Sequence, residues 1–413
     1  MLKRIRPLLS KMPALAGIIT ILAALGIGTY IRGNLTDAWE LLHIPSSKPL
    51  FMDTVFITYA IDCVFAGQDP YIVGSFDPWG RLFNYPPIWL DLRYLGVNSH
   101  STNLIGTTLA LMTAITCTFL FRARTWLSAL IIFLAITSRS VLFALERGNT
   151  DELIFFLLVF GFFLIDQQRP ALKSPLITLL IAILTVLKVY PVVVSVIFIG
   201  RRNGVIKTLL AVTASVVALL LTSGHRLPTL LSATPQDSAM AFGAYPFFLA
   251  ITGRSSLVST LTFLNHPRAA SIGALIIGVL SIVAGYVYKD RVDRFLPKLD
   301  FDHVRGQLAI SGLAIFCSAF VAGASYNYRL IFLLGMLAFL VEDMSSRMSR
   351  RSLWTAIFFL ALMDRRFSLH FYQQVIDGLL FIVSSAWLGT SLAHQVIGNA
   401  HPHFGQQEVL EPK

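Results

Sequence analysis

The chain has 413 residues, of which 55% are hydrophobic and 13% are charged, and its formal net charge is +11. A soluble domain carries about 25% charged residues, so this composition excludes an ordinary water-soluble protein. The basic residues occur in short clusters between apolar runs, which is typical of orientation signals and not of a nucleic-acid-binding surface. The sequence therefore predicts an all-α, polytopic transmembrane helical bundle that contacts membrane lipids and no nucleic acid.

Long apolar runs follow one another along the chain. A membrane-spanning helix needs roughly 20 apolar residues, and the runs predict about ten crossings within a single membrane domain, residues 1–413. The clear candidates are residues 14–31, 104–121, 126–145, 151–166, 205–222, 271–288, 306–323 and 374–393, and two shorter ones are residues 330–341 and 353–363. The first run follows a basic segment without a convincing cleavage site, which favours a retained span over a signal peptide.

The basic clusters between these runs predict the orientation of the chain. Lys and Arg are enriched in cytoplasmic loops. Placing each dense cluster in the cytoplasm also places both termini there, including the polar tail 401–413. The long loops 32–103 and 223–270 then lie on the outer side of the plasma membrane.

The run 175–199 is interrupted by Lys188 and Pro191. Proline cannot donate a backbone hydrogen bond, and it disfavours helix at the preceding residue, Tyr190. A single crossing would put the next basic cluster outside, whereas a re-entrant hairpin keeps that cluster in the cytoplasm. We therefore expect a hairpin with Lys188 at its tip, although two tilted half-helices are also compatible with the pattern.

The outer loop 32–103 contains several polar and aromatic motifs. Residues 53–66 carry apolar side chains with i, i+3 and i+4 spacing, which predicts an amphipathic helix along the membrane surface. Gly67 follows at the usual position of a helix C-terminal cap. Asp69-Pro70 and Tyr85-Pro86-Pro87 then predict turns and extended chain.

Asp53 opens this amphipathic segment, and two roles are open to it. Aspartate is a preferred residue at a helix N-cap. A carboxylate in a cleft that faces the membrane can also act as a general base and take a proton from an acceptor hydroxyl. Asp62 and Asp69 are weaker candidates for the same base.

Four further polar sets reach the same side of the predicted bundle. They are residues 146–151, the hairpin tip at 188–191, residues 326–329 and residues 364–366, together with Arg139 inside a span. Charges at membrane depth are costly and are usually retained for function, although Arg365 and Arg366 can extend to lipid headgroups. Basic residues on the outer side predict an anionic ligand, and a lipid-linked phosphate fits them best.

The motifs of several other chemistries do not occur in this sequence. It contains no Gly-rich nucleotide loop, no HExxH and no paired Cys and His pattern. We therefore expect neither a metal site nor a bound organic cofactor.

Several of these motifs resemble a known family. Asp53, Gly67-x-Asp69-Pro70-Tyr71 and Tyr85-Pro86-Pro87 resemble the first outer loop of polyprenol-phosphate-dependent glycosyltransferases of the GT-C fold. Gly148-Asn149-x-Asp151, and Leu187-Lys188 with the nearby Pro191, are also similar. Together these motifs look like those of glycosyltransferase family 87, which includes phosphatidylinositol-mannoside mannosyltransferases, and the resemblance covers roughly residues 50–200.

The resemblance implies an inverting transfer of a mannose-like or pentose-like sugar from a polyprenyl phosphate to a lipid or glycan acceptor on the outer face. Asp53 would be the general base, and the donor phosphate would be bound by Lys188, Arg329 and Arg147. Further substrate-binding residues would be Asp69, Tyr71, Tyr85, Asn149, Asp151, Tyr190, Asn327 and Tyr328. Many relatives carry histidines in the late outer loop, whereas this chain has Tyr-Asn-Tyr-Arg at 326–329, which leaves the sugar open.

A transporter or flippase of a lipid-linked or anionic solute is the main alternative. Charges within the membrane and a broken helical hairpin are also transporter features. The sequence shows no repeat that relates two halves, and its polar motifs gather on one face of the predicted bundle. These observations favour the glycosyltransferase over a transporter and over a non-catalytic assembly subunit.

Overall fold

The computed structural model describes residues 10–199, 201, 203–233, 240–252, 264–347, 349–364 and 371–400. The predicted tail 401–413 and the arginines at positions 365 and 366 lie outside the described residues. The first half of the bundle contains α1 (Met12–Arg32), α2 (Leu35–Leu41), α3 (Met52–Phe65), α4 (Thr102–Leu120), α5 (Trp126–Ile136), α6 (Arg139–Arg147), α7 (Thr150–Asp166), α8 (Pro170–Leu187) and α9 (Gly204–Ser223).

The second half continues with α10 (Leu227–Ser232), α11 (Ala244–Thr252), α12 (Pro267–Val287), α13 (Lys289–Val292), α14 (Val304–Val321), α15 (Leu333–Arg347), α16 (Arg350–Met363) and α17 (Phe371–Ala400). Short 3-10 helices cover Pro87–Leu95, Ser99–Ser101, Tyr190–Phe198, Gly224–Arg226 and Asn327–Phe332. Strands β1 (Ala241–Phe242) and β2 (Ser325–Tyr326) form one antiparallel pair, in which Ala241 lies opposite Tyr326.

Eight helical segments in the described part of the chain are long and apolar enough to cross a membrane. They are Met12–Arg32, Ser99–Leu120, Trp126–Arg147, Pro170–Leu187, Gly204–Leu230, Pro267–Val287, Val304–Val321 and Phe371–Gln395. The prediction of an all-α polytopic membrane protein is therefore confirmed. The other three expected spans form α7, α15 and α16, which have 17, 15 and 14 residues. These helices are shorter than the roughly 20 residues of a complete span, so the number of crossings stays a prediction.

The region around Lys188 departs from a simple span. Helix α8 has 18 residues and is by itself long enough to count among the eight segments. After Lys188 the chain continues as the 3-10 helix Tyr190–Phe198, and Arg201 beyond it lines the same surface cavity as Lys173 at the start of α8. The chain thus returns to the end of the bundle at which α8 begins. The part of the predicted hairpin before Lys188 is the complete helix α8, and the part after it is the shorter 3-10 helix.

The span Trp126–Arg147 is broken between α5 and α6, and Arg139 begins the second part. Its guanidinium donates a hydrogen bond to the backbone carbonyl of Asp364 at 3.1 Å. Ser140 donates to the neighbouring carbonyl of Met363 at 2.7 Å. The polar groups at this break therefore bind the free carbonyls at the end of α16, which a helix leaves without internal partners.

The first long loop has an apolar core of its own around α3. The helix predicted over 53–66 is confirmed as Met52–Phe65, and Gly67 follows with a positive φ of 73°. Its polar side chains are buried as well. Thr54 donates to the carbonyl of Gly148 at 2.7 Å, and Thr58 shares a hydrogen bond of 2.7 Å with Thr102. Helix α3 is therefore held inside the protein on both faces.

The second long loop closes over the first. Arg226 forms an ion pair with Asp69 at 2.7 Å. Asn84 donates to the carbonyl of Ala233 at 3.4 Å. Leu230 belongs to the same apolar cluster as the aromatic residues of the first loop. The two loops therefore form one cover at the end of the bundle where α7 begins and α8 ends.

Candidate functional site

A cavity of about 280 Å³ lies beneath this cover. It is bounded by the start of α3, by the chain that follows α8 and by the segment between α14 and α15. Its polar lining includes Asp53, Arg81, Tyr85, Lys188, Tyr328 and Arg329. Residues from four distant parts of the sequence are thus brought to one concave site, the usual form of a small-molecule site.

Asp53 lies in the first turn of α3 and does not cap it. The N-cap residue is Phe51, whose φ is 58° and whose side chain makes no cap hydrogen bond. The N-cap interpretation of Asp53 is therefore wrong. Its carboxylate is buried, with 8% of the residue exposed, and accepts a hydrogen bond from the side-chain amide of Asn149. The positive end of the helix dipole favours the negative charge at this position.

Asn149 connects the two charged parts of the site. It is the N-cap residue of α7, and its side-chain oxygen accepts from the backbone N–H of Asp151 at 2.8 Å. The same oxygen lies 3.1 Å from the ammonium group of Lys188, while the amide nitrogen donates to Asp53. One side chain therefore fixes the carboxylate of Asp53 relative to Lys188.

Asp151 holds two cations at once. Its side chain is fully buried and forms an ion pair with Lys188 and a second contact with Arg329 at 3.5 Å. The hydroxyl of Tyr190 donates to the same carboxylate at 2.9 Å. The side chains of Lys188 and Arg329 keep 13% and 18% of their surface exposed. Both cations therefore line the cavity in front of a single buried carboxylate.

Aromatic rings surround these cations. The ammonium of Lys188 lies 5.2 Å from the ring centre of Tyr85 and 5.8 Å from that of Tyr328. The guanidinium of Arg329 lies 4.7 Å from the ring centre of Tyr190. Burial raises the pKa of Tyr85, and the charge of the nearby Asp53 raises it further. The phenol of Tyr85 therefore remains a neutral hydroxyl.

Asp69, Tyr71 and Asp62 lie outside the cavity lining. Asp69 pairs with Arg226 and accepts from the backbone N–H of Tyr71 at 3.0 Å. The hydroxyl of Tyr71 donates to the backbone carbonyl of Tyr85 at 2.7 Å. Asp62 accepts from the backbone N–H of Ser99 at 3.2 Å. These contacts hold the loop together, and they leave Asp53 as the carboxylate that lines the cavity.

Arg147 and Asn327 also lie outside the lining, although both were predicted to bind substrate. Arg147 pairs with Glu146 at 3.3 Å, and its guanidinium lies 5.4 Å from the ring centre of Trp79. Asn327 is fully buried, and its backbone N–H donates to Met240 at 3.1 Å. Within the described residues its side-chain amide has no hydrogen-bond partner.

Arg81 lines the cavity, although the sequence did not predict it as a site residue. It forms two hydrogen bonds of 2.9 Å with the carboxylate of Asp77. Its guanidinium also lies 4.5 Å from the ring centres of both Phe56 and Trp79. The separation of four residues between Asp77 and Arg81 was the available signal, but it is common in sequences and is not by itself specific.

The residue before Asn149 gives a first prediction. Gly148 has a φ of 56°, and a Cβ atom there would lie 2.7 Å from the hydroxyl of Thr54 and 3.0 Å from Phe51. Left-handed backbone costs other residues about 1–2 kcal/mol, and this clash adds to that cost. We expect Gly148→Ala to lower the thermal unfolding temperature and to impair activity, because Phe51 and Thr54 flank Asp53.

Gly33 offers a matched control for this variant. It has a φ of 81°, but a Cβ atom there would meet nothing within 4 Å. Gly33→Ala should therefore show the backbone cost alone, and the thermal unfolding of the two purified variants compares them. An equal loss of stability in both variants would argue against close packing between α3 and the Gly148 turn.

Comparison with known proteins identifies a family. The model of glycosyltransferase family 87 matches residues 78–301, which is more than half of the chain. The matched part includes Lys188 and the 149–151 turn, whereas Asp53 precedes it and Arg329 follows it. No curated protein and no solved structure matches the chain.

Proposed function

This chain belongs to glycosyltransferase family 87, and we propose that it moves a mannose-like or pentose-like sugar from a polyprenyl phosphate to a lipid or glycan acceptor. The sugar and the donor phosphate would occupy the cavity that contains Asp53. The transfer would be inverting, with Asp53 as the general base.

One observation carries this proposal. Lys188 and Arg329 both line the cavity, and both form ion pairs with the single carboxylate of Asp151. Two cations that share one buried anion give this group of three side chains a net charge of +1. A phosphate group supplies the matching negative charge, and such charge-assisted hydrogen bonds are about twice as strong as neutral ones.

The reaction can be written with these groups. The acceptor hydroxyl gives its proton to the carboxylate of Asp53, and the acceptor oxygen forms a bond to the anomeric carbon of the donor. The bond from that carbon to the phosphate oxygen breaks, and the phosphate leaves with the electron pair. Lys188 and Arg329 stabilise the negative charge that develops on this oxygen. Preorganised cations act here without reorganising during the reaction.

The size of the cavity favours a lipid-linked donor. A volume of about 280 Å³ is slightly below the roughly 300–1,000 Å³ typical of ligand pockets. It suits a sugar with one phosphate, so most of the polyprenyl chain must lie outside it. The apolar side chains of Val189 and Leu230 also line the cavity and can contact the first part of that chain.

A comparison of two classes of sugar donor tests the proposal. Purified protein is incubated with an acceptor glycolipid and a labelled sugar, carried either on a polyprenyl phosphate or on a nucleoside diphosphate. We expect release of polyprenyl phosphate and transfer of label from the lipid donor alone. Equal use of the nucleotide sugar would overturn the proposed donor, and movement of the intact lipid across a vesicle membrane without transfer would favour the flippase.

The predicted orientation has its own test. Ser75 is exposed in the first long loop, and Ser346 is exposed near the far end of α15. In a background without Cys63, Cys117 and Cys317, we expect Ser75→Cys to react in intact cells with a membrane-impermeant thiol reagent. Ser346→Cys should react only after the cells are lysed. The reverse pattern would place the cavity on the cytoplasmic face.

A further inference from the structure

A second and larger cavity lies far from Asp53. Helix α15 leads away from the site, and Arg350 and Arg351 begin α16 at its far end. There a groove of about 630 Å³ runs between residues 292–296, α16 and α17. It shares none of its lining residues with the cavity of Asp53.

The groove is apolar along most of its length. Phe359 and Leu380 are buried at its base. Trp354, Phe358 and Leu379 line it and are 61%, 59% and 57% exposed. In a membrane-spanning bundle such exposed apolar side chains face the lipid tails, which are as apolar as leucine, so a groove among them accommodates a hydrocarbon chain.

Three arginines stand at one end of the groove. Arg294, Arg350 and Arg351 all line it and are exposed. Arg351 also donates to the backbone carbonyl of Asp293. The carboxylate of Asp293 lies 2.6 Å from His394 and does not line the groove. The end of the groove is therefore positively charged, whereas the rest of it is apolar.

The length of the groove matches one leaflet of a bilayer. Along α17 it is lined from Ile376 to Ala386, and the ten helical steps between these two residues correspond to a rise of about 15 Å at 1.5 Å per residue. The hydrocarbon core of a bilayer is about 30 Å thick, so one leaflet contributes about half of that. An acyl chain of ordinary length fits this distance, whereas a long polyprenyl chain exceeds it.

We propose that this groove binds an anionic glycerophospholipid. One acyl chain lies against Trp354, Phe358 and Leu379, and the phosphate lies at the arginines. Each arginine near a membrane surface favours an anionic lipid, and a phosphate held by several guanidinium groups is bound more specifically than by ammonium groups.

The test compares lipids that differ in charge. Wild-type protein is delipidated in detergent, incubated with equal amounts of phosphatidylglycerol and phosphatidylcholine, and examined by native mass spectrometry. We expect wild type to retain phosphatidylglycerol at least about tenfold better, from the attraction of each arginine for anionic lipid. The double variant Arg294→Gln/Arg350→Gln should lose this preference.

Two further variants make the result specific. Arg268→Gln removes one positive charge from an exposed residue in the first turn of α12, outside the groove, and should keep the preference. Leu379→Trp fills the groove without changing its charge and should reduce retention of both lipids. A wild type without preference, an equal loss in Arg268→Gln, or preferential retention of an added polyprenyl phosphate would each overturn the proposal.

Discussion

Replacing Asp53 with asparagine should lower the rate of sugar transfer by about 10²–10⁴-fold, the usual contribution of a general base. Asparagine has the same shape, and its side-chain oxygen can still accept from the amide of Asn149, the hydrogen bond that holds Asp53. We therefore expect the variant to fold and to bind the donor lipid. The rate of polyprenyl phosphate release and the thermal unfolding temperature measure the two effects.

Asp62 provides the matched control for this prediction. It lies on the same helix, but its carboxylate accepts from the backbone of Ser99 and does not line the cavity. Asp62→Asn should therefore retain most of the transfer rate. A similar loss of transfer rate in both variants would mean that the carboxylates of α3 act through folding and not through the cavity. An active Asp53→Asn would exclude this residue as the base.

Replacing Lys188 with glutamine should reduce both transfer and stability. The loss of one preorganised group that stabilises developing charge typically costs about 10²–10³-fold in turnover. The change also removes the closest cation from the fully buried Asp151. Breaking a buried ion pair costs about 3–5 kcal/mol, an upper value here because Arg329 also contacts Asp151. Turnover with the polyprenyl-phosphate donor and the free energy of unfolding measure the two losses.

A double variant separates these effects. Lys188→Gln/Asp151→Asn also removes the fully buried carboxylate, and Arg329, which then lacks its counter-ion, keeps 18% of its side chain exposed to solvent. We therefore expect part of the stability to return while transfer stays low. Lys173→Gln is the control for the loss of an exposed ion pair, since Lys173 contacts Asp166 at 2.6 Å far from the cavity. Such pairs are worth about 0–1 kcal/mol. Recovery of transfer in the double variant would contradict a role for Lys188 with the donor phosphate.

The helices were predictable because the physical signals for them are local. Apolar runs of span length and the glycine after residues 53–66 gave α3 and most of the long helices within a few residues. The 18-residue length of α8 was not evident from the apolar run, which begins only at residue 175, because Lys173 and Ser174 in its first turns are polar. Proline is tolerated near a helix N-terminus, and here α8 begins with Pro170.

The candidate site was predictable only in part, because only some of its features have a local signal in the sequence. Lys188 and Asp151 were expected on one face because charges in apolar surroundings stand out in a sequence. Their direct ion pair, the contact of Asn149 with Asp53 and the place of Arg81 depend on packing between helices. Asn149 and Asp53 are 96 residues apart in the sequence, and a hydrogen bond between such distant residues leaves no local trace. The position of Arg147 against Glu146 shows the opposite case, in which a conspicuous charge lies outside the cavity.

The central claim is that the cavity of Asp53 holds the donor sugar and its phosphate. The most direct measurement is a cryo-electron microscopy structure of the Asp53→Asn variant with a polyprenyl-phosphate sugar. We expect the phosphate within hydrogen-bond distance of Lys188 and Arg329, with the anomeric carbon between it and position 53. The claim would be contradicted if the donor were bound elsewhere and Lys188 and Arg329 still contacted only Asp151.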